Sequence, residues 1–504
     1  MRNNIILIAF IILKFVIQYS LIGPEYELQR DEFLHLDQAN HLAFGYLSVP
    51  PVTSWLSYII QLLGNSIFWI KFFPALFGAL TIFVVWKTIE ELKGNLFALI
   101  LGASCVMFSV LFRLNILYQP NSLDVLSWTL LFYFIIKYLN NNQPKWIYLI
   151  AVTFAFGFLN KYNIIFLILG IIPALLFTKE RRIFFNKHLY YAIALAFVIV
   201  LPNIIWQYNN NFPVLHHMKE LSDTQLVNVN RWEFIRSQLL YFPGTFIVIL
   251  FGLIAVLKYH EFKKYRFFFW SFFITIGIFL LLKAKSYYAI GLYPIYFAFG
   301  SVYLAEFLRG KAGKIIKPII IIWVFVSFIP VYDISFPNKS PEYIVNNSDK
   351  YRELGMLTWE DGKEHQLPQD FADMLGWKEL ARKVDSIYIN LPNKKNTLIL
   401  CDNYGQAGAI NYYSKNGLRA VSFNADYINW FDFDTKYYNL IRVKNAGERE
   451  NEWKETSPYF EKSVIADSIT NKYAREYGTT IFSFTDTKID INEVVKKEVE
   501  EEKW

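Results

Sequence analysis

Charge is scarce in this chain. Only 18% of its 504 residues are Asp, Glu, Lys or Arg, against roughly 25% in soluble domains. With 54% hydrophobic and 19% aromatic residues and a mean hydropathy of +0.25, a soluble globule would leave large apolar patches facing water. Membrane embedding is the reading that fits. Cysteine is scarcer still: the two present, Cys105 and Cys401, lie far apart in an apolar run and a strand-like run, so no disulfide framework is expected. There is no Gly-rich nucleotide loop and no Cys/His spacing for zinc. Heptads and solenoid-type repeats are also missing. These absences argue against nucleotide-sugar chemistry, zinc modules, coiled coils and nucleic-acid binding.

What is present is a series of apolar runs. Crossing a ~30 Å hydrocarbon core takes about 20 residues of helix. About eleven such segments are expected, near 4–23, 67–86, 95–112, 116–136, 146–160, 162–178, 189–206, 238–257, 267–282, 287–308 and 318–334. Lys14 interrupts the first and no small-residue cleavage site follows it, so it is read as a retained helix rather than a signal peptide. Asn160-Lys161 splits what would otherwise be one long stretch. Net charge is +7, but its placement says more. The runs KERRIFFNKH (179–188), KYHEFKKYR (258–266) and RGKAGKIIK (309–317) carry four Lys or Arg each. They fall on alternate loops, which the positive-inside rule assigns to the cytoplasm together with the N-terminus. An odd helix count then puts residues 335–504 outside.

From Pro337 the composition turns soluble. DMLGWKELARKVDSIY (373–388) has helical spacing. NTLILCDNYGQAGAINYYS (396–414) reads as strand, turn and helix, while RAVSFN and TTIFSF read as further strands. The expected architecture is mainly α: a polytopic membrane part over 1–334, with a first external loop at 24–66, and a small extracytoplasmic α/β domain over 335–504. The terminal EVVKKEVEEEKW is read as a solvated helix or a disordered tail.

Chemistry is sought in polar residues where apolar ones are the rule. Directly after the first span comes RDEFLHLDQANHLAFGYLSVPP. Asp31 and Glu32 are adjacent, so one can face a cavity while the other pairs or is solvated. A carboxylate at the edge of an apolar cavity can take a proton from an attacking hydroxyl; a solvated loop carboxylate is the plain alternative. His35 and His41 could ligate a metal with Asp31 or Asp37, although structural histidines are commoner. Arg113, Lys161, Lys283 and Lys285 sit at expected outer helix ends. Any one of them could snorkel to the interface, but four at one depth suit an anionic headgroup such as a lipid phosphate. Asp124 lies inside an apolar segment and could pair with one of them. Tyr287 and Tyr288, beside Lys285, could line the site or belong to an interfacial aromatic belt. Pro50-Pro51 is read as the rigid end of the loop.

These motifs resemble bacterial glycosyltransferase family 39, a GT-C type of membrane enzyme similar to protein O-mannosyltransferases and lipid A aminoarabinose transferases. The resemblance is carried by DEFLHLDQANHLAFGYLSVPP, QPNSLDVLSWTL (119–130), FLNKY (158–162), LPNIIWQYNNNFPVLHH (201–217), KSYYAIGLYPIYFAFG (285–300), DMLGWKELARKV and DNYGQAGAINYY, in that order. It implies a polyprenyl-phosphate-linked sugar donor and inverting transfer outside the cytoplasm. It implies Asp31 as catalytic base, with Glu32 as helper or orienter. Lys161 and Lys285 would bind the donor phosphate, with looser assignments for Arg113 and Lys283. Ser48 and Val49 depart from the Asp or His that many members carry before the double proline, so sugar and acceptor identity do not carry over. No cofactor is expected, and a divalent metal stays an open alternative. The expected partners are the membrane, a polyprenyl-phosphate sugar and an unidentified lipid, glycan or protein acceptor, and the expected location is a bacterial inner membrane. A lipid transporter or flippase without catalysis is the competing class; it predicts charges at mid-membrane depth and broken helices. A membrane scaffold displaying residues 335–504 would have no need of the outer cations.

Overall fold

A computed structural model describes residues 2–503. Each of the eleven apolar segments carries a helix, but among the described residues only five helices are long and apolar enough to cross a bilayer: Arg2–Ser20, Ile67–Glu91, Asn121–Asn141, Lys187–Asn209 and Gly313–Ser335. The other helices are shorter for local reasons. Pro120 has no N–H to continue a helix and starts Asn121–Asn141 later than the hydropathy suggests. The segment expected at 287–308 is a 3-10 turn, Ser286–Leu292, and a helix, Pro294–Phe307, bent by 49° at Pro294. The break at Asn160-Lys161 is real: Pro144–Asn160 ends where Lys161 adopts an extended backbone. Between the segments expected at 189–206 and 238–257 the chain holds two further helices, Pro213–Thr224 and Arg231–Leu240.

The helix ends sort into two sets. At one end, Lys137 and Asn140 bond Glu91 at 2.6 Å each, and Tyr265 bonds Asn140 at 2.5 Å. The basic runs at 179–188 and 258–266 flank these residues, at the same end as the start of Arg2–Ser20. The opposite end carries Lys71, Asn121 and Lys161 together with the first loop. Lys14 is buried near this second end of its helix, over the Phe112 ring at 3.8 Å and bonded to Gln18 at 2.5 Å.

In the first loop, residues Arg30–Asp37 form a helix because its start is doubly capped. The Gln29 carboxamide accepts from the Asp31 N–H at 2.9 Å, while Glu32 accepts from the Gln29 N–H at 2.7 Å. Pro51 caps the next helix, Val52–Leu62, and so closes the loop. After Ser335 the chain builds a five-stranded sheet in the order β2-β1-β3-β5-β4 (β1 Thr397–Cys401, β2 Ala420–Ser422, β3 Asn439–Lys444, β4 Phe460–Ser468, β5 Thr480–Thr487). The three strands β2, β1 and β3 run parallel; β5 and β4 are antiparallel additions. Strand β4 escapes sequence reading because much of it is exposed, with an irregularity at Ile465/Asp467. The terminal segment is an ordered helix, Ile491–Glu502, rather than a free tail. Ile491, Val495 and Val499 recur at helical spacing and bury against the sheet, beneath the charges that dominate its composition.

This unit sits on the first loop through the helix Tyr404–Tyr413. Phe33 packs among Trp377, Tyr412 and Tyr413 with ring centres 5.7–6.0 Å apart. A Cβ on Gly408 would stand 2.7 Å from the Phe33 Cβ and 2.6 Å from the Tyr427 hydroxyl, so the two helices meet at this distance only because residue 408 lacks a side chain. Replacing Gly408 by Val should therefore loosen the contact, at a cost of about 1–3 kcal/mol from overpacking. Thermal unfolding and protease sensitivity of the 336–376 segment measure it, and an unchanged profile contradicts the close-packing account.

Candidate active site

The adjacent carboxylates Asp31 and Glu32 meet opposite surroundings. Glu32 is fully buried, and its two oxygens accept from Lys71 Nζ at 2.6 and 2.9 Å, from the Tyr118 N–H at 2.6 Å and from the Gln29 N–H at 2.7 Å. Every strong acceptor direction is used, so Glu32 anchors the loop to the span Ile67–Glu91 and to the segment before Asn121–Asn141. Asp31, one residue earlier on the helix, is only partly buried. One of its oxygens accepts from the Tyr404 hydroxyl at 2.6 Å and the other from the Gln119 carboxamide at 3.0 Å.

From Asp31 a polar line leads to the membrane helices. Gln119 accepts from the Asn121 amide at 2.9 Å, and Asn121 accepts from Lys161 Nζ at 2.7 Å. Lys161 also lies over the Tyr288 and Tyr287 rings, 4.5 and 5.2 Å from their centres. The QPNS motif thus joins the carboxylate to the cation through two side-chain amides. Asp124, one turn further along the same helix, stands off this line. It accepts from Trp128 Nε1 at 2.9 Å and from Asn163 at 3.0 Å, and Asn163 also bonds the Tyr288 carbonyl.

The remaining cations differ. Lys285 bonds Gln225 at 2.6 Å and is ion-paired with Glu360. Arg113 pairs with Asp370 at 2.8 Å. Both carboxylates come from the segment after Ser335, so an anionic ligand at Lys285 or Arg113 has to displace a protein carboxylate. Lys283 has a left-handed backbone, φ 50°, and makes no ion pair among the described residues. His35 is buried with no partner at Nδ1, and burial lowers its pKa below the usual imidazole value. His41 stacks on Trp430 with ring centres 4.3 Å apart. The two histidines do not converge with Asp31 or Asp37, and among the described residues no group of three or more His, Cys, Asp or Glu is arranged to hold a metal ion.

Sequence reading missed three groups at this site. Tyr404, in DNYGQAGAINYY, reaches Asp31 from 373 residues away in sequence. Gln119 and Asn121 were visible as a motif without a role. The third is Asp373, whose backbone carbonyl accepts from the Arg30 N–H at 3.1 Å. Its side chain pairs with Arg475 at 3.1 Å. Burial pushes the Asp373 carboxyl up to about 7 against the pull of Arg475 and Arg30, with Asp31 adding to the rise.

This architecture has solved counterparts. The chain is similar to ArnT from Cupriavidus metallidurans bound to undecaprenyl phosphate, with a TM-score of 0.62 at 11% identity, covering 94% of this chain and 97% of that one. The apo state of the same protein gives a TM-score of 0.62 at 11% identity, covering 96% and 98%. Residues 48–206 match the family model described as dolichyl-phosphate-mannose-protein mannosyltransferase. In sequence the chain is 25% identical over 224 residues to the lipid A galacturonosyltransferase RgtD of Rhizobium johnstonii, a match covering 44% of this chain and 46% of that protein. Less than half of that curated relative is therefore spanned.

Two outcomes are expected. Removing the Tyr404 hydroxyl leaves an Asp31 oxygen without its donor, so in a double-mutant cycle Tyr404→Phe and Asp31→Ala should couple by about 1–3 kcal/mol in unfolding free energy. Additive effects refute the contact. For Asp373, the folded protein holds the proton up to about 7, whereas an unfolded chain releases it near ~3.9. The stability this contributes is complete at low pH and is lost as pH rises through 7, on the order of 2–4 kcal/mol at most. Thermal unfolding from pH 4 to 8 should show that loss, and Asp373→Asn should remove it.

Proposed function

We propose that this chain is an inverting glycosyltransferase that moves a sugar from a polyprenyl-phosphate donor to an acceptor hydroxyl. It acts at the membrane face that carries the α/β unit. The observation that carries the reading is Asp31, partly buried, held by two donors and joined through Gln119 and Asn121 to Lys161. In the proposed step, Asp31 takes the proton of the acceptor hydroxyl as its oxygen attacks the anomeric carbon. The bond from that carbon to the phosphate oxygen breaks, and polyprenyl phosphate leaves with the electron pair. Lys161 meets the charge that develops on the phosphate, and Tyr287 and Tyr288 wall its ammonium. Glu32 serves by orientation: held by its own partners, it fixes the helix that presents Asp31. Lys285 and Arg113 are further phosphate ligands once Glu360 and Asp370 give way, and Lys283 and His35 stand at the margin of the site. No nucleotide is required, since the donor already carries the activated bond.

We assign residues 1–334 to the membrane catalytic part and 335–504 to an extracytoplasmic α/β domain. The basic runs at 179–188 and 258–266 lie at the opposite helix ends from Asp31, as the positive-inside rule asks of an outward-facing site. A bacterial inner membrane is the matching location. A lipid-borne saccharide acceptor is supported by the likeness to the lipid A galacturonosyltransferase RgtD. A transporter predicts charge at mid-membrane depth and broken helices; the bend at Pro294 fits that class as well, but Asp31, Lys161, Lys285 and Arg113 gather at one set of helix ends, which favours the enzyme.

The test is transfer by the purified full chain in liposomes, across a panel of polyprenyl-phosphate sugars. Asp31→Asn should lower turnover by about 10²–10⁴-fold, the contribution of a general base, while binding of undecaprenyl phosphate is retained. Undiminished turnover in that variant sinks the assignment.

A further inference from the structure

Arg30 precedes the carboxylate pair and has had no role so far. Its guanidinium lies over the Tyr404 ring, 4.2 Å from the centre. It is fixed there by close packing, because a Cβ on Gly405 would stand 2.7 Å from the Arg30 Cγ. Arg113 and Lys285 are both neutralised by carboxylates, but among the described residues Arg30 has no ion pair and its side chain donates no hydrogen bond. Its Nε is buried without a partner. The terminal nitrogens, also unpartnered, reach accessible space on a half-buried side chain. A guanidinium is a rigid fork that costs little further ordering when it receives a planar or tetrahedral oxyanion. Three carboxylates, Asp373, Asp31 and Glu476, act on the charge of Arg30, yet none bonds it, so its donors stay directed at an anion that enters beside Asp31.

Its position says which substrate it serves. Asp31 is bonded to Tyr404, under Arg30, on one side and to Gln119, on the way to Lys161, on the other. Lys161 ends a membrane helix and is the cation within reach of a lipid-anchored phosphate. Arg30 stands across Asp31 from it, against the α/β unit. In an inverting displacement the acceptor enters opposite the leaving group, with the base beside the entering oxygen. We infer that Arg30, stacked on Tyr404, is a binding site for a phosphate or carboxylate carried by the acceptor close to its reacting hydroxyl. This rests on the glycosyltransferase reading for the term acceptor, while the anion site itself does not.

The shared ligand chemistry is an oxyanion, and its two sources, donor phosphate and acceptor anion, are separable. Undecaprenyl phosphate binding is measured on the full chain in nanodiscs by intrinsic tryptophan fluorescence. Lys161→Gln should weaken it at least 10-fold, and Arg30→Gln less than 2-fold. With undecaprenyl phosphate saturating, binding of inorganic phosphate is then followed by phosphorus NMR. The wild-type chain should bind it in the millimolar range, Arg30→Gln should weaken that at least 5-fold, and Arg30→Lys, which keeps the charge and controls for folding, should lie between. Absence of phosphate binding, or binding unaffected by Arg30→Gln, overturns the proposal. Equal loss of lipid affinity in Arg30→Gln and Lys161→Gln overturns the acceptor assignment and gives Arg30 to the donor. Transfer by Asp31→Asn reports on the enzymatic reading separately, so the two can fail independently.

Discussion

A carboxylate removed from water must be answered by donors, and Glu32 is answered on every side. Its four hydrogen bonds come from a lysine on one span, a backbone N–H that leads into another, and the cap of its own helix. Losing one partner of such a buried pair typically costs 3–5 kcal/mol, because the other charge is left uncompensated. The loop helix is therefore pinned in rotation as well as in position. Successive helical residues point about 100° apart, so fixing Glu32 inward between the spans turns Asp31 away from them, toward the α/β unit. The placement of Asp31 is a consequence of the structural role of its neighbour.

That geometry is completed from a distance. Tyr404 arrives on a helix packed so tightly on the loop that Gly405 and Gly408 face Arg30 and Phe33 with no room for a side chain. The α/β unit thus does more than cover the loop: it supplies one of the two donors to Asp31 and holds Arg30 by stacking. A close contact of this kind holds the carboxylate in position, as the proposed proton transfer would require.

Much of this was legible in the sequence. The basic runs, the charge pair after the first apolar segment and the isolated Lys161 stand out because each breaks an apolar background. The eleven helices were legible as helices, yet their lengths were not, since Pro120 and Pro294 end or bend them where hydropathy runs on. Strand β1 was readable from its unbroken apolar run and β2 and β5 from short apolar stretches, whereas β3, with Asn439, Arg442 and Lys444 within it, was not. Strand β4, exposed on one side of an edge, was not. Tyr404, Glu360 and Asp370 stayed invisible for a different reason: they act through contacts spanning tens to hundreds of residues, and nothing in a tyrosine or a surface carboxylate announces its partner. Gln119 and Asn121 fall between these cases, legible as a motif but not as a connection.

The unequal treatment of the cations follows from where they stand. Lys285 and Arg113 face the segment after Ser335 and can be neutralised by carboxylates that remain partly hydrated; Asp370 is 50% exposed in its side chain. Lys161 stands at the end of Pro144–Asn160 and feels the buried Asp124 carboxylate without pairing directly with it. Its ammonium is held by one amide oxygen and the faces of two tyrosines, partners that position a cation without cancelling it. In the proposed reaction, direct carboxylate pairing at Lys285 and Arg113 against neutral direct partners at Lys161 would make Lys161 the cation that an anionic headgroup engages without first displacing a carboxylate.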